Sequence, residues 1–255
     1  TGSYNTMVGN NSGRKMTSGN QNTASGVNSL ELNTTGANNV AMGMSALAAN
    51  TTASNNAAVG CGSLSANTTG VNNTAVGFCA MKVNTTGGST VAVGDRALRS
   101  QTSGDSNIAL GERAACGLTT GTGNIMIGQG IGQAAITGVC NTGLGYQAFV
   151  NLTSGTCNIA IGYRALYELE DAGLNVAIGQ CALANTTSIG NQTAVGTCAL
   201  RANTSGHSNT AYGYLAACAN TTGCYNTALG RAALKTKTTG SSNTAVGYNS
   251  LTTTS

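Results

Sequence analysis

The 255-residue chain has no proline, no tryptophan and a single histidine, His207. Without proline every backbone N–H stays free to donate, which suits an uninterrupted ladder of strands. Charged residues make up 7% of the chain, far below the roughly 25% usual for soluble domains. The net charge of +4 is scattered. There is no basic stripe of the kind nucleic-acid binders carry, so that partner is set aside. The seven carboxylates are dispersed. Asp95, Glu112 and Glu168-Glu170-Asp171 share no spacing that would pair two acids for glycan cleavage. With one histidine and no nucleophile motif, an enzyme is not expected. Zinc lacks ligands, because no Cys-x-x-Cys pair accompanies the histidine, and no cofactor or metal site is implied. No stretch reaches the ~18–20 apolar residues of a membrane span, so membrane insertion is not expected. Nor is a signal peptide visible. Aromatics are 4% of the chain. A globule is hard to fill with Ala, Gly, Val and Thr, but a stack of repeats can bury each unit on its neighbours.

What is present is a period. A glycine recurs from Gly9 to Gly247 at every seventeenth position, without insertion or deletion. The chain is fifteen 17-residue repeats, read here as one continuous array over residues 1–255. We number the columns of the repeat 1–17 from Thr1. Column 9 is always Gly, column 5 is Asn in thirteen copies, and column 7 is Ala in twelve. Columns 6 and 8 are β-branched or apolar with few exceptions, column 13 is Leu in nine copies, and column 2 is Gly in twelve. Columns 16, 17 and 1 often read Asn-Thr-Thr. The β-branched residues and glycines oppose a helix. The pattern predicts a strand over columns 5–8, a second over columns 11–14, and a turn at Asn-Thr-Thr-Gly. The fold class is therefore all-β: a β-solenoid of fifteen coils whose strands pair in parallel with their copies one coil away. At ~4.8 Å per coil the rod would be about 70 Å long. The Asn column reads either as an amide ladder along the axis or as a plain turn preference, with the ladder favoured. Repeats 1 and 2, residues 1–34, are degenerate. Repeats 7 and 8, residues 103–136, lose the Leu and Asn-Thr-Thr elements, and Gly128, Gly130 and Gly132 there predict a bulge or bend. The uncapped final repeat suggests a segment of a longer fibre or ends covered by other subunits.

All eighteen charged residues fall in columns 1, 3, 10, 11 and 14–17. Successive strand residues point to opposite faces, so neither face of the first strand ever carries a charge. This predicts that both are buried. One would pack inside the coil against the column-13 Leu. The other, flat with its Ala column, would pack on another chain, giving a homo-oligomer and preferably a trimer. The exposed edge, columns 10–11 and 14–17, holds Arg96, Arg99, Arg164 and five column-10 aromatics: Phe78, Tyr146, Tyr163, Tyr214 and Tyr248. These are the candidates for contact with a host-surface glycan or protein, or else they cover the core edge.

Of nine cysteines, Cys140 with Cys157 and Cys181 with Cys198 share a column in adjacent coils. Stacked Cα atoms at ~4.8 Å lie within disulfide range, although parallel Cβ vectors would have to lean together. Cys218 with Cys224 and Cys61 with Cys79 are weaker pairs. An oxidising, extracellular setting is the expectation. Asn-x-Ser/Thr occurs at Asn33, Asn50, Asn67, Asn84, Asn185, Asn203 and Asn220, among others. Most lie at the expected outer turn, where a glycan could project, unless Asn-Thr-Thr is simply the turn the coil requires.

The segment Asn-Thr-Ala-Val-Gly-Tyr-Asn-Ser-Leu at 243–251 resembles repeats of phage and viral tail fibres. It is also similar to the Ser-x-Ala-x-Gly repeats in the heads of trimeric autotransporter adhesins. The resemblance extends over all fifteen repeats. It implies a left-handed β-roll, three chains about one axis, a cell- or virion-surface location and attachment to a host. A structural fibre for reach and adhesion is the leading expectation, and a filament of solenoids stacked end to end is the alternative. An ice-binding solenoid is a remote third. It needs an outward Thr array, whereas the exchange of Thr with Val and Ile in column 6 reads as burial.

Overall fold

The computed structural model describes residues 2–252. It contains fifteen three-residue strands and no helix. The chain forms two compact units, Thr1–Asn124 and Ile125–Ser255. The first unit carries β1 (Thr6–Val8) to β7 (Ile108–Leu110), and the second carries β8 (Ile125–Ile127) to β15 (Thr244–Val246). Each unit is a parallel β-solenoid. Strands occupy columns 6–8, and each pairs in parallel with the next in register: Thr6 with Thr23 and Ala58 with Ala75 in the first unit, Ala160 with Ala177 in the second. A strand slipped by one residue would turn its core face outward, so the exact 17-residue spacing is what keeps the coils aligned.

The second strand expected over columns 11–14 is not formed. Those residues make two consecutive β-turns. Ala46 N donates to Gly43 O at 3.3 Å and Asn50 N to Leu47 O at 3.1 Å, spanning columns 9–12 and 13–16. The cause is a left-handed backbone at columns 11 and 13 in every coil. Non-glycine residues there and at column 4 have φ between 47° and 62°. The left-handed region is narrow and disfavours β-branched residues. Across all fifteen repeats columns 4, 11 and 13 contain no Val, Ile or Thr, although these residues abound elsewhere. The turns still hydrogen-bond from coil to coil, Leu30 N to Ala46 O at 2.9 Å and Leu32 N to Ala48 O at 3.0 Å. Left-handed residues also break the in–out alternation of a strand. Ala46 and Leu47, adjacent in sequence, are both fully buried.

The core is therefore built from columns 7, 12 and 13, with amides at columns 5 and 16. Column 5 is the ladder the sequence favours. Asn39 donates from its backbone N (3.0 Å) and from Nδ2 (3.1 Å) to Asn22 Oδ1, and its Nδ2 also donates to Ala53 O at 2.9 Å. The two exceptions keep the chain of bonds. Thr90 N donates to Asn73 Oδ1, and Thr90 Oγ1 accepts from Asn107 N. Gln192 N donates to Asn175 Oδ1. A second ladder runs along column 16: Asn50 Nδ2 donates to Asn33 Oδ1 at 2.8 Å and Asn67 Nδ2 to Asn50 Oδ1 at 3.0 Å. Buried amides with every bond made rigidify a core, and a half-made network would cost more than an apolar one.

Column 9 is invariant for two reasons at once. Its φ lies between 116° and 141°, a region essentially reserved for glycine. A Cβ on Gly162 would also sit 2.6 Å from Gly179 O in the adjacent coil.

Where coils depart from the consensus, volume is conserved. Met replaces Ala at column 7 only at Met7 and Met126, and those are the two repeats with glycine at column 13, Gly13 and Gly132. A Cβ on Gly13 would lie 2.7 Å from Met7 Sδ, so Met7 occupies the space a column-13 side chain would take. In the repeat after Met126 and Gly132, Phe149 enlarges column 13 and Gly143 empties column 7. A Cβ on Gly143 would meet Phe149 Cδ2 at 3.0 Å. Gly128, Gly130 and Gly132 lie where the coil is irregular, since the turn spanning columns 10–15 in neighbouring coils is interrupted after Gly130. They adopt the left-handed conformations that columns 9, 11 and 13 take in every coil.

Candidate functional surfaces

The strand presents the opposite face from the one expected. Column 7, thought to face another chain, points inward: Ala41, Ala75, Ala160 and Ala194 are fully buried. Columns 6 and 8, assigned to the interior, face out, with Val76 36%, Leu144 45% and Tyr212 57% exposed. The reason is volume. The narrow coil already holds Ala at column 12 and Leu at column 13, so only a small side chain fits opposite them. Each unit thus displays an outward strip of Val, Ile, Leu, Met and Thr that carries no charge in any coil. Contiguous apolar surface of this kind marks an interaction site far more often than a free surface. Burial of column 6, the ground for setting aside an ice-binding face, does not hold.

The column-10 aromatics stand where the sequence puts them. Phe78, Tyr146, Tyr163, Tyr214 and Tyr248 are all exposed. They are knitted into the edge along the stacking direction. Tyr146 and Tyr163 stack with ring centroids 5.8 Å apart and planes 7° from parallel. Arg96 lies over Phe78 at 5.7 Å. Arg231 lies between Tyr214 (5.5 Å) and Tyr248 (5.2 Å) in the coils on either side. Such cation–π contacts are worth about 0.5–1 kcal/mol each at exposed sites. They hold the rings and guanidinium groups in fixed orientations, as a contact surface requires.

The cysteine pairs are not bonded. All nine are free thiols, including Cys140, Cys157, Cys181 and Cys198. Cys140 and Cys157 stack at column 4, and Cys181 and Cys198 at column 11. Burial pushes the Cys181 thiol above its ordinary range, with the neighbouring Cys198 adding to it. Burial raises Cys218 as well.

The sequon asparagines require the largest correction. Asn33, Asn50, Asn67, Asn84 and Asn203 are fully buried and Asn220 is 2% exposed. They are the rungs of the column-16 ladder, with Nδ2 donating inside the coil, for example Asn33 to Gly36 O at 2.9 Å. A glycan on those nitrogens is incompatible with the folded coil. Asn185, one column earlier, is exposed. The threonine that follows each column-16 asparagine supplies the outer part of the turn: Thr34 Oγ1 donates to Thr51 O and Thr85 Oγ1 to Thr102 O, one coil on.

Among the described residues no group of three or more His, Cys, Asp or Glu side chains is placed to hold a metal ion. No helix among them is long and apolar enough to cross a membrane. His207 is exposed and packs edge-on against Tyr225, with centroids 4.8 Å apart. No protein-family model matches the chain, and no curated protein matches its sequence.

Proposed function

We propose that the chain is a structural fibre segment of an extracellular or virion-surface appendage. It self-associates through its outward strand face, preferably as a homotrimer about one axis, and serves reach and adhesion. One observation carries this: the outward strand face, built of Thr and apolar residues, is exposed and carries no charge in any repeat, while every charge lies elsewhere. Packing that face on copies of itself removes apolar surface from water at about 25 cal/mol per Å² and desolvates no charge. Cryo-electron microscopy of the native material, combined with sedimentation in solution, tests it. Three-chain rods of fixed length with columns 6 and 8 at the interface are expected. A monodisperse monomer would sink the proposal. Filaments of indefinite length made of single chains end to end would favour the alternative function, self-assembly.

The outward face also favours one second reading. Thr193, Thr210, Thr227 and Thr244 form a run of column-6 threonines on consecutive strands of the second unit. A regular, uncharged Thr and Val surface is what an ice-binding solenoid would present. A thermal-hysteresis measurement on purified chain decides it, and freezing behaviour equal to that of an inert protein would end this reading.

A further inference from the structure

The corner of the second unit contains a concavity of about 290 Å³, lined chiefly by Arg164, Tyr167, Glu168, Cys181, Asn185 and Arg201. Its origin is legible in the columns. Column 14 reads Tyr167, Ala184, Arg201 in three consecutive coils, so one small residue stands between two long ones. The flanking backbones are two coil spacings apart, roughly 10 Å, and the missing side chain leaves a notch between them. Column 15 supplies Glu168 and the exposed Asn185 as a polar rim, and column 11 supplies Arg164.

Two arginines converge on this concavity. Ion pairs form at Arg14–Glu31 and Arg96–Asp95, and neither arginine of the notch has a carboxylate partner within 4.0 Å among the described residues. Arg164 is held by Nε donating to Gln147 Oε1 at 3.0 Å, and its guanidinium lies over Tyr163 (5.2 Å) and Tyr167 (5.0 Å). Its fork is oriented before any ligand arrives. Arg201 approaches from the opposite side and is exposed. Glu168 is tied to Asn151 Nδ2 at 2.6 Å, which leaves it an acceptor at the rim. Burial pushes the Cys181 thiol up, which disfavours a negative charge there.

We infer that this notch binds an acidic saccharide unit, a pyranose ring carrying a carboxylate or sulfate. Two unpaired arginines recognise the anionic group, since a planar guanidinium matches such oxygens bidentately. The carboxylate of Glu168 and the amide of Asn185 recognise ring hydroxyls, and Glu168 disfavours a bare multivalent anion. The Tyr167 ring forms one wall. The site deepens the adhesive reading, but its test does not depend on the oligomeric state.

The test is calorimetric titration of the full chain with oligogalacturonate, a sulfated galactan oligosaccharide, a neutral galactan oligosaccharide and inorganic sulfate. The expected result is binding of at least one acidic oligosaccharide, at least tenfold tighter than the neutral one or sulfate. That affinity should fall as salt is raised. Arg201→Ala and Ala184→Gln should each weaken it tenfold or more. Ala184→Gln fills the notch with a side chain that column 14 already accommodates at Gln133, and an unchanged thermal melt confirms the fold. The inference is overturned if no acidic oligosaccharide binds, if neutral and acidic forms bind alike, if sulfate alone binds as well, or if Ala184→Gln has no effect. A monomeric chain that binds would retain this site while refuting the trimer.

Discussion

Single side chains decide whether a stacking column continues or stops. Where consecutive coils carry amides at column 16, each donates back to the coil before it, as Asn220 Nδ2 does to Asn203 Oδ1 at 3.0 Å. The next residue in that column is Lys237, which has no amide and whose Nζ turns to Asn243 Oδ1. Asn220 Oδ1 is left buried without a partner. An unsatisfied buried acceptor costs about 1–3 kcal/mol. Lys237→Asn should therefore extend the ladder and stabilise the last coils by about 1 kcal/mol. The expected readout is a raised melting temperature together with slower amide exchange around Thr221 and Thr238. An unchanged melt and exchange rate would show that Asn220 lacks nothing a neighbour can supply.

Within one coil, the strand and the double turn share a fixed interior volume. Gly143 and Phe149 show this, because one is smaller and the other larger than the consensus Ala and Leu, and they face each other. Gly143→Ala places a methyl 3.0 Å from Phe149 Cδ2 and 2.6 Å from Ile131 Cδ1. Overpacking of that kind costs about 1–3 kcal/mol. Phe149→Leu in the same chain should recover part of the loss, since it relieves one of three tight contacts, the others being Ile131 Cδ1 and Met126 Sδ. Chemical denaturation of the two single variants and the double variant measures the coupling, and strictly additive losses would refute it. The strand was legible in the sequence, because columns 6–8 alternate small and β-branched residues. The turns were not, because apolar Leu after Ala looks like strand. The signal that could have shown them was an exclusion: no β-branched residue at columns 4, 11 or 13.

At the scale of the whole molecule, repeats add stability through neighbour-to-neighbour contacts, and function is left to surfaces the stack exposes. The self-association proposed above is a whole-molecule property, and charge on the strand face probes it directly. Leu229→Lys with Val246→Lys, both outward at column 8 and 46% and 65% exposed, should break the oligomer in sedimentation while leaving the fold intact. Retention of the oligomer would place the interface elsewhere. The sequence by itself determined the period, the parallel in-register stack, the column-5 ladder, the glycine at column 9 and the uncharged strand. Each of these repeats at one spacing and needs only local chemistry. Tertiary structure alone decided which side of that strand faces water, since columns 6, 7 and 8 are equally free of charge. Left-handed residues at columns 11 and 13 swing Ala and Leu together into a narrow interior, where only Ala fits opposite. The same step buries the Asn-Thr-Thr asparagines. It also assembles the notch, whose residues Arg164 and Arg201 lie two coils apart in the chain and meet only when the coils stack.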